Sequence, residues 1–152
     1  MSEKEKNEII AEVGGSPDEC GVSLCIYGEE LIPDVITELL RCQPTHAHKK
    51  GDKKGPRSPA LVFEQGAWIL NVRGESPMTA EVLTRKLLMM VPSKPEIWKQ
   101  LQEKFEIQVR YGIHMSGWNK GFGLSHELID WMRLLRADVE FDIYAYGDEE
   151  DV

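Results

Sequence analysis

Three side chains that commonly bind transition metals, Cys42, His46 and His48, stand close together in the sequence. Two histidines separated by one residue can close around a single ion, and a nearby thiolate would add a soft ligand. However, the next residues are lysines, which would repel a cation, and the chain has no Cys-x-x-Cys pair of the kind that zinc sites use. Solvent-exposed loop histidines are the simpler explanation, and we expect no metal and no other cofactor.

The best candidates for a catalytic pair are Cys25 and His114, which lie on different predicted strands. Both are expected to face outward, where a thiol beside an imidazole base would be a nucleophile. The sequence supplies no recognisable third residue to orient the base and no oxyanion hole. The acids Glu140 and Asp142 are most simply the polar side of a strand. We therefore expect a protein that is not an enzyme.

A basic segment, residues 46–57, interrupts an otherwise acidic chain. It holds five Lys and Arg residues against one acid, a local charge of +4 that leaves −12 on the rest of the chain, given the total of −8. This segment is the alternative candidate site, for phosphate or another small anion, although a charged loop without a shaped pocket is usually only solvated. Glycines 121 and 123 before a predicted helix could also hold an anion, but no phosphate-binding motif follows them. The basic residues of the segment are Lys49, Lys50, Lys53, Lys54 and Arg57.

Aromatic side chains form the most distinctive set of candidate binding residues. Two lie in a glycine-rich loop, residues 117–123, and three tyrosines are expected to point away from the core on strands. An apolar ring with a polar tip is typical of side chains that anchor protein interfaces. The loop aromatics could equally fold back onto the core, and the tyrosines could lie under a helix or a subunit partner. Together with two outward residues of the strand that follows residue 105, the candidate partner-binding set is Trp118, Phe122, Tyr27, Tyr144, Tyr146, Arg110 and His114.

Hydrophobic periodicity predicts the elements that would position these residues. Apolar residues alternate with polar ones in strands around 22–27, 61–72, 107–115 and 139–145. Gly66 indicates a bulge or, preferably, a tight hairpin within the second of these strands. Helical spacing of apolar residues predicts one helix after Pro33, one after Thr79, one with a Ser93–Glu96 capping box and one near Ser125.

The order of these elements predicts an α+β fold with a single domain. Without the second and third helices, the order is βαβ–βαβ, which is that of a ferredoxin-like fold with an inserted helix pair. We expect an antiparallel sheet with helices on one face and the other face open or covered by a partner. The domain is predicted to span residues 20–146, between a mobile acidic arm at 1–19 and an acidic tail at 147–152.

Bulk properties exclude several classes of function. An acidic chain lacks the basic face that nucleic-acid binding requires. No apolar run approaches the ~18 residues that span a bilayer, and the N-terminus has no apolar core of a secretory signal. Three cysteines, an odd number without close pairs, fit a reducing compartment. A cytoplasmic protein that binds neither membranes nor nucleic acids is therefore expected.

A series of short motifs runs through the chain: Tyr27-Gly28, Leu31, Pro33, Ile36, Pro44-Thr45, Lys50-Gly51-Asp52, Gly66-x-Trp68, and later His126 to Leu135 followed by Phe141-Asp142-Ile143-Tyr144. Over roughly residues 20–146 this pattern resembles the bacterial family catalogued as domain of unknown function 4279 (DUF4279). The resemblance implies a small bacterial, cytoplasmic domain. The family carries no assigned activity or catalytic residues that could be transferred.

Three hypotheses about function follow from the sequence. The preferred one is a non-catalytic module that binds a protein partner, for example an acidic immunity-type protein that blocks a basic toxin. The second is a small-anion-binding domain, or an unrecognised enzyme, that uses the basic segment. The third is a subunit that self-associates as a homodimer through its sheet.

Overall fold

The computed structural model describes residues 15–57, 60–75, 77–117 and 120–146. Within these residues the chain forms one mixed sheet with helices against it, in a single α+β domain. The strands are β1 (Glu19–Gly28), β2 (His46–His48), β3 (Gly66–Glu75), β4 (Glu106–Ser116) and β5 (Asp138–Tyr146), and the helices are α1 (Pro33–Leu40), α2 (Ala80–Met89), α3 (Pro95–Lys104) and α4 (His126–Met132), with a 3₁₀ turn at Arg133–Leu135.

The strand order is β2-β3-β1-β4-β5, with the first strand in sequence at the centre. β1 pairs antiparallel with both β3 and β4, whereas β5 pairs parallel with β4. The expected antiparallel sheet is therefore wrong for its last strand, because α4 carries the chain back to the starting end of β4. The sheet is consequently mixed, with antiparallel pairs at β1 and a parallel pair between β4 and β5. The expected ferredoxin-like topology is not confirmed.

Local chemistry explains where the helices begin. α1 opens on Pro33, whose fixed φ and missing N–H suit the first turn. α2 and α4 each begin after a hydroxyl cap, since Thr79 Oγ1 accepts from Val82 N and Ser125 Oγ accepts from Leu128 N, both at 3.3 Å. The predicted capping box before α3 is wrong: Lys94 occupies the cap position without a side-chain hydrogen bond, and a proline follows it.

The core lies between the helices and one face of the sheet. Trp68 from β3, Trp98 from α3 and Tyr111 from β4 are fully buried there. The Tyr111 hydroxyl lies 2.7 Å from Oγ1 of the buried Thr84 on α2, so the phenol enters the core with its polar atom satisfied. The helix pair α2–α3, inserted between β3 and β4, thus completes the cover over the central strands.

The last strand departs from the sequence expectation. Its alternating apolar residues were expected to face the core, yet Val139, Phe141 and Ile143 remain 44%, 47% and 55% exposed. They do lie on the helix side of the sheet, beside the core residues of β4. The cover ends before them because α4 is only seven residues long, about 10 Å. β5 is consequently exposed on both of its faces.

Gly66 begins β3 opposite Gly28 of β1, and no tight hairpin forms at this position. A Cβ atom added to Gly66 would lie 2.7 Å from the Leu31 carbonyl oxygen, so this residue is a glycine because two backbone segments meet there. The antiparallel pairing near this region lies earlier, where Lys53 bridges to Val62. The tight hairpin predicted at Gly66 is therefore wrong, and the antiparallel contact of this region lies between residues 53 and 62.

None of the helices in the described part of the chain has the length and apolarity that a bilayer-crossing helix needs. The predicted tail at 147–152 and most of the predicted N-terminal arm lie outside the described residues. Asp18, near the end of that arm, is anchored to the sheet: it accepts from Ser116 N at 2.6 Å and pairs with Lys120 at 2.9 Å.

Candidate functional site

The sheet face opposite the helices, which we call the open face, carries most of the candidate binding residues. Strand register places every second side chain there. Four of the predicted partner-binding residues, Arg110, His114, Tyr144 and Tyr146, lie on adjacent strands of this face, and Tyr27 lies further along it. The side chains of the open face from β1, β4 and β5 are Glu19, Gly21, Ser23, Cys25, Tyr27, Glu106, Gln108, Arg110, Gly112, His114, Ser116, Asp138, Glu140, Asp142, Tyr144 and Tyr146.

A shallow depression of about 430 Å³ marks the middle of the open face. Its floor is formed where Gly21 pairs with Gly112, so that two neighbouring strands present bare backbone. Arg73 pairs with Gly21 on one side, and Asp142 pairs with Gly112 on the other. A side chain added at Gly112 would meet no atom within 4 Å, so the depression is open to a ligand or to a partner side chain.

Aromatic rings form one wall of this depression. His114 stacks on Tyr144 with ring centroids 4.7 Å apart and planes 10° apart, and its Nδ1 lies 3.2 Å from the Tyr146 hydroxyl. Both tyrosines remain about half exposed. The stack fixes the ring orientations before any partner binds, which lowers the entropy cost of using them as contacts.

Arg110 organises the acids beside the depression. Its guanidinium donates to Glu140 at 3.3 Å, and its Nε lies 3.8 Å from an Asp142 carboxylate oxygen, beyond hydrogen-bond distance. Burial lowers the pKa of Arg110, but Tyr27 and Glu140 more than offset this effect and raise it above the usual value. The arginine therefore stays charged and holds two carboxylates in place without fully neutralising them.

The open face is acidic as a whole. Including the open-face side chains of β3, six carboxylates lie on it against two guanidinium groups, a net charge of −4 with the histidines neutral. Such a surface attracts cationic groups and repels anions. The charged residues are Glu19, Glu75, Glu106, Asp138, Glu140 and Asp142 against Arg73 and Arg110.

Tyr27 and Cys25 lie toward the other end of the open face. Burial, followed by a hydrogen bond that the phenol donates to the Cys25 sulfur, raises the pKa of Tyr27 to about 12. Burial likewise raises the pKa of the Cys25 thiol, which is only 2% exposed. Both side chains therefore stay protonated at neutral pH, and a buried thiol with a raised pKa is a poor nucleophile.

The proposed adjacency of Cys25 and His114 is wrong. Cys25 pairs with Gln108 on β4, whereas His114 pairs with Glu19. Six residues of strand, ~20 Å, therefore separate the thiol position from the imidazole position. The alternation of apolar and polar residues predicted the correct face of the sheet for both residues. It could not predict how the two strands are aligned with each other, which sets the distance between the side chains.

The two loop aromatics do not join the tyrosines. Phe122 is partly buried on the helix side, where its ring centroid lies 6.1 Å from Tyr111 and 5.9 Å from Phe141. Trp118 lies outside the described residues. At the helix that follows this loop, Ser125 N donates to Glu81 at 3.2 Å. A carboxylate thus already occupies the amide that an anion would need.

The basic segment begins with β2, and its remaining residues form a small hairpin-like structure with residues 61–63. Gly51 N donates to the Phe63 carbonyl at 2.8 Å, and Phe63 N donates to the Asp52 carbonyl at 2.9 Å. The Lys49 amide donates to the Asp52 carboxylate at 2.8 Å. Lys54 lies 5.6 Å above the Phe63 ring. Lys50 pairs with Glu29 on the surface at 3.8 Å. These contacts give the segment a structure of its own, and anion binding by Lys49, Lys50, Lys53, Lys54 and Arg57 stays a prediction.

Only the two histidines of the three candidate metal ligands contact each other in the structure. His46 Nε2 and His48 Nδ1 lie 3.2 Å apart, and the His48 ring stacks on Phe63 with centroids 3.4 Å apart. Cys42 instead contacts the Gln43 carbonyl. Burial and the neighbouring His46 lower the pKa of His48. In the ranges that the structure describes, no three His, Cys, Asp or Glu side chains are grouped so that they could hold a metal ion.

The model of the family described as a domain of unknown function (DUF4279) matches residues 18–146, which is most of the chain. The chain belongs to the DUF4279 family. The match begins at the anchored Asp18 and ends with β5, so the DUF4279 domain comprises the whole sheet and the helices that cover it. No curated protein and no solved structure matches the chain significantly.

Sequence reasoning missed the centre of the DUF4279 open face. Gly21, Gly112 and Arg73 were not candidate residues, although Gly112 falls at an outward position of a predicted strand. Gly21 and Arg73 each lie one residue beyond the predicted strands and belong to β1 and β3 in the structure. A glycine within a strand indicates either a bulge or a close backbone approach. Two glycines become a shared floor only when the register places them side by side, which the sequence does not specify.

Proposed function

We propose that this DUF4279 domain is a non-catalytic protein-binding module whose open face engages a basic protein surface. The observation that carries the proposal is the combination of preset tyrosine rings and a net charge of −4 on one sheet face. Tyrosines supply anchoring contact area, and the carboxylates select and orient a cationic partner. An acidic immunity-type protein that blocks a basic toxin in the bacterial cytoplasm is one concrete form of this function.

Position-specific photo-crosslinking tests the proposal. The photoreactive residue p-benzoylphenylalanine would replace Tyr144 on the open face and, as the matched control, Val35 on α1. Both positions are about half exposed, at 49% and 56%. We expect the probe at position 144 to crosslink one basic protein in cells that express the chain at its natural level, and the probe at position 35 not to do so.

Charge supplies the second arm of this experiment. Glu140→Lys reverses one carboxylate on the open face, and Glu38→Lys makes the same change on α1 as a control. The crosslink from position 144 should weaken with Glu140→Lys and with added salt, because exposed charges are screened. Equal crosslinking from positions 144 and 35 would exclude the open face as the binding surface. A crosslink from position 144 that is equally strong with and without Glu140→Lys would exclude it as well.

A further inference from the structure

The free edge of the sheet is a nine-residue strand, β5, with the sequence DVEFDIYAY. It pairs with β4 along one side, and no other described strand pairs with its outer backbone groups. Natural proteins usually protect such an edge with charged side chains, above all lysine, or with proline, a bulge or a very short strand. The charged side chains of β5 are three carboxylates, which would repel an acidic strand but not a basic one. β5 contains no lysine, no proline and no glycine, and it pairs with β4 without interruption from Asp138 to Tyr146.

The opposite edge of the sheet is built differently. β2 is only three residues long, and the rest of the basic segment follows it at once in a hairpin-like structure. Thr45 extends the pairing beside β2, because its amide donates to the Ile69 carbonyl and its hydroxyl accepts from Asn71 N. The sheet is therefore protected at one edge and open at the other.

Side chains along β5 divide into two chemically distinct rows. The open-face row is acidic and then aromatic, and the helix-side row is apolar and about half exposed at Val139, Phe141 and Ile143. An apolar hollow of about 280 Å³ lies beneath this second row, between α4 and Val139. A strand added beside β5 would place alternate side chains against these two rows.

Charge argues against a second copy of this chain as the added strand. The antiparallel register that pairs all nine residues of two β5 strands places Asp142 opposite Asp142 of the other copy. Like charges directly opposite each other destabilise a strand pair. The acidic row instead complements Lys or Arg, and the exposed helix-side row complements apolar side chains.

We propose that β5 accepts, as a sixth strand of the sheet, an extended segment of a partner that alternates basic and apolar side chains. The inference rests on the proposed function and specifies which part of the basic partner is bound. Backbone hydrogen bonds to the free edge supply affinity, and the two rows supply specificity. Apolar side chains of the segment pack against the helix-side row, which is Val139, Phe141 and Ile143. Its basic side chains face the acidic residues of the open-face row, Asp138, Glu140 and Asp142.

Three nine-residue peptides test this proposal on the full chain. The first alternates lysine and valine, the second is the same peptide with alternate backbone amides N-methylated, and the third alternates glutamate and valine. We expect the first to bind and to slow hydrogen exchange at β5 amides. N-methylation should weaken binding by at least about tenfold, since several backbone hydrogen bonds are lost at once. The glutamate peptide should not bind.

A matched pair of variants localises the effect. Ile143→Lys places a cation on the apolar row of β5, and Val35→Lys makes the same change at an equally exposed position on α1. Ile143→Lys should abolish binding of the lysine–valine peptide, and Val35→Lys should leave it unchanged. Loss of binding in both variants, or in neither, would overturn the assignment to β5.

The remaining outcomes separate the edge inference from the proposed function. Equal binding of the N-methylated peptide would overturn strand addition and leave charge attraction to the open face. Failure of every peptide, combined with a specific crosslink from position 144, would overturn the edge inference alone. Failure of both would overturn the two together. A concentration-dependent dimer that protects β5 amides would make a second copy of the chain the occupant and would overturn a basic partner segment.

Discussion

Gly66→Ala tests whether the close approach between β3 and the segment after β1 restricts the sequence. The new Cβ would lie 2.7 Å from the Leu31 carbonyl oxygen, 3.0 Å from the Leu31 Cβ and 3.1 Å from the Gly28 carbonyl oxygen. Contacts of this type normally begin near 3.4 Å, so backbone must move by more than half an ångström. Overpacking of a tightly packed region costs roughly 1–3 kcal/mol.

A glycine-to-alanine change also restricts the unfolded chain, which stabilises the folded state by about 0.4–1 kcal/mol. The net expectation for Gly66→Ala is a loss of about 1–2 kcal/mol in the free energy of unfolding. For a chain of 152 residues this corresponds to a melting temperature lower by roughly 2–8 °C. Gly112→Ala is the matched control, because its Cβ meets no atom within 4 Å and only the stabilising effect remains.

Urea unfolding at 25 °C, followed by tryptophan fluorescence, measures both variants against the parent chain. The urea dependence of the unfolding free energy should be the same for all three proteins, so that midpoints can be compared directly. If Gly66→Ala were as stable as Gly112→Ala, the close backbone contact would not exist in solution. The explanation of that glycine would then be refuted.

Two further predictions concern pH. Hydrogen bonds from Lys120 and Ser116 lower the pKa of Asp18 to about 2, so the carboxylate's contribution to stability is present above pH 3.8 and is lost as the pH falls toward 2. Asp18→Asn should therefore be less stable than the parent chain at neutral pH. Acid unfolding curves should show the difference in stability between the two proteins shrinking below pH 3.8. Because burial raises the pKa of Tyr27 to about 12, its stabilising effect is present below pH 10 and disappears as the pH rises through 12. Burial also raises the pKa of Tyr111, so ultraviolet titration of the phenols should show two late ionisations, of which Tyr27→Phe removes one. An unchanged number of late ionisations in Tyr27→Phe would contradict the assignment to Tyr27.

Local patterns predicted the elements and their faces well. The alternation from Ile107 to Met115 is β4, Pro33 and Thr79 mark helix starts, and Tyr144 and Tyr146 lie on the open face as expected. These features depend on the period of the side chains and on cap chemistry, both of which act within a few residues. The match to the DUF4279 family agrees with the resemblance of the motifs.

Long-range relations were not predictable in the same way. The parallel direction of β5, the distance between Cys25 and His114 and the meeting of Gly21 with Gly112 all depend on how strands pair. Alternation is unchanged when a strand slides by two residues or reverses its direction, so the sequence pattern cannot distinguish these arrangements. The exposed apolar row of β5 was missed for a related reason, since the pattern shows a strand's apolar side but not how far a helix reaches over it.

The central position of β1 has a consequence for folding. Of the five strands of this sheet, β1 is synthesised first, and its partners follow much later: Glu19 pairs with His114, which is 95 residues further along the chain. Closing such long loops is slow, and ribosomes add only about 5–20 residues per second. The apolar residues Val22, Leu24 and Ile26 therefore stay without their β4 partner for several seconds in each cycle of synthesis. Apolar strands exposed in this way favour aggregation, and once folding is complete the same strand is paired on both sides at the centre of the sheet.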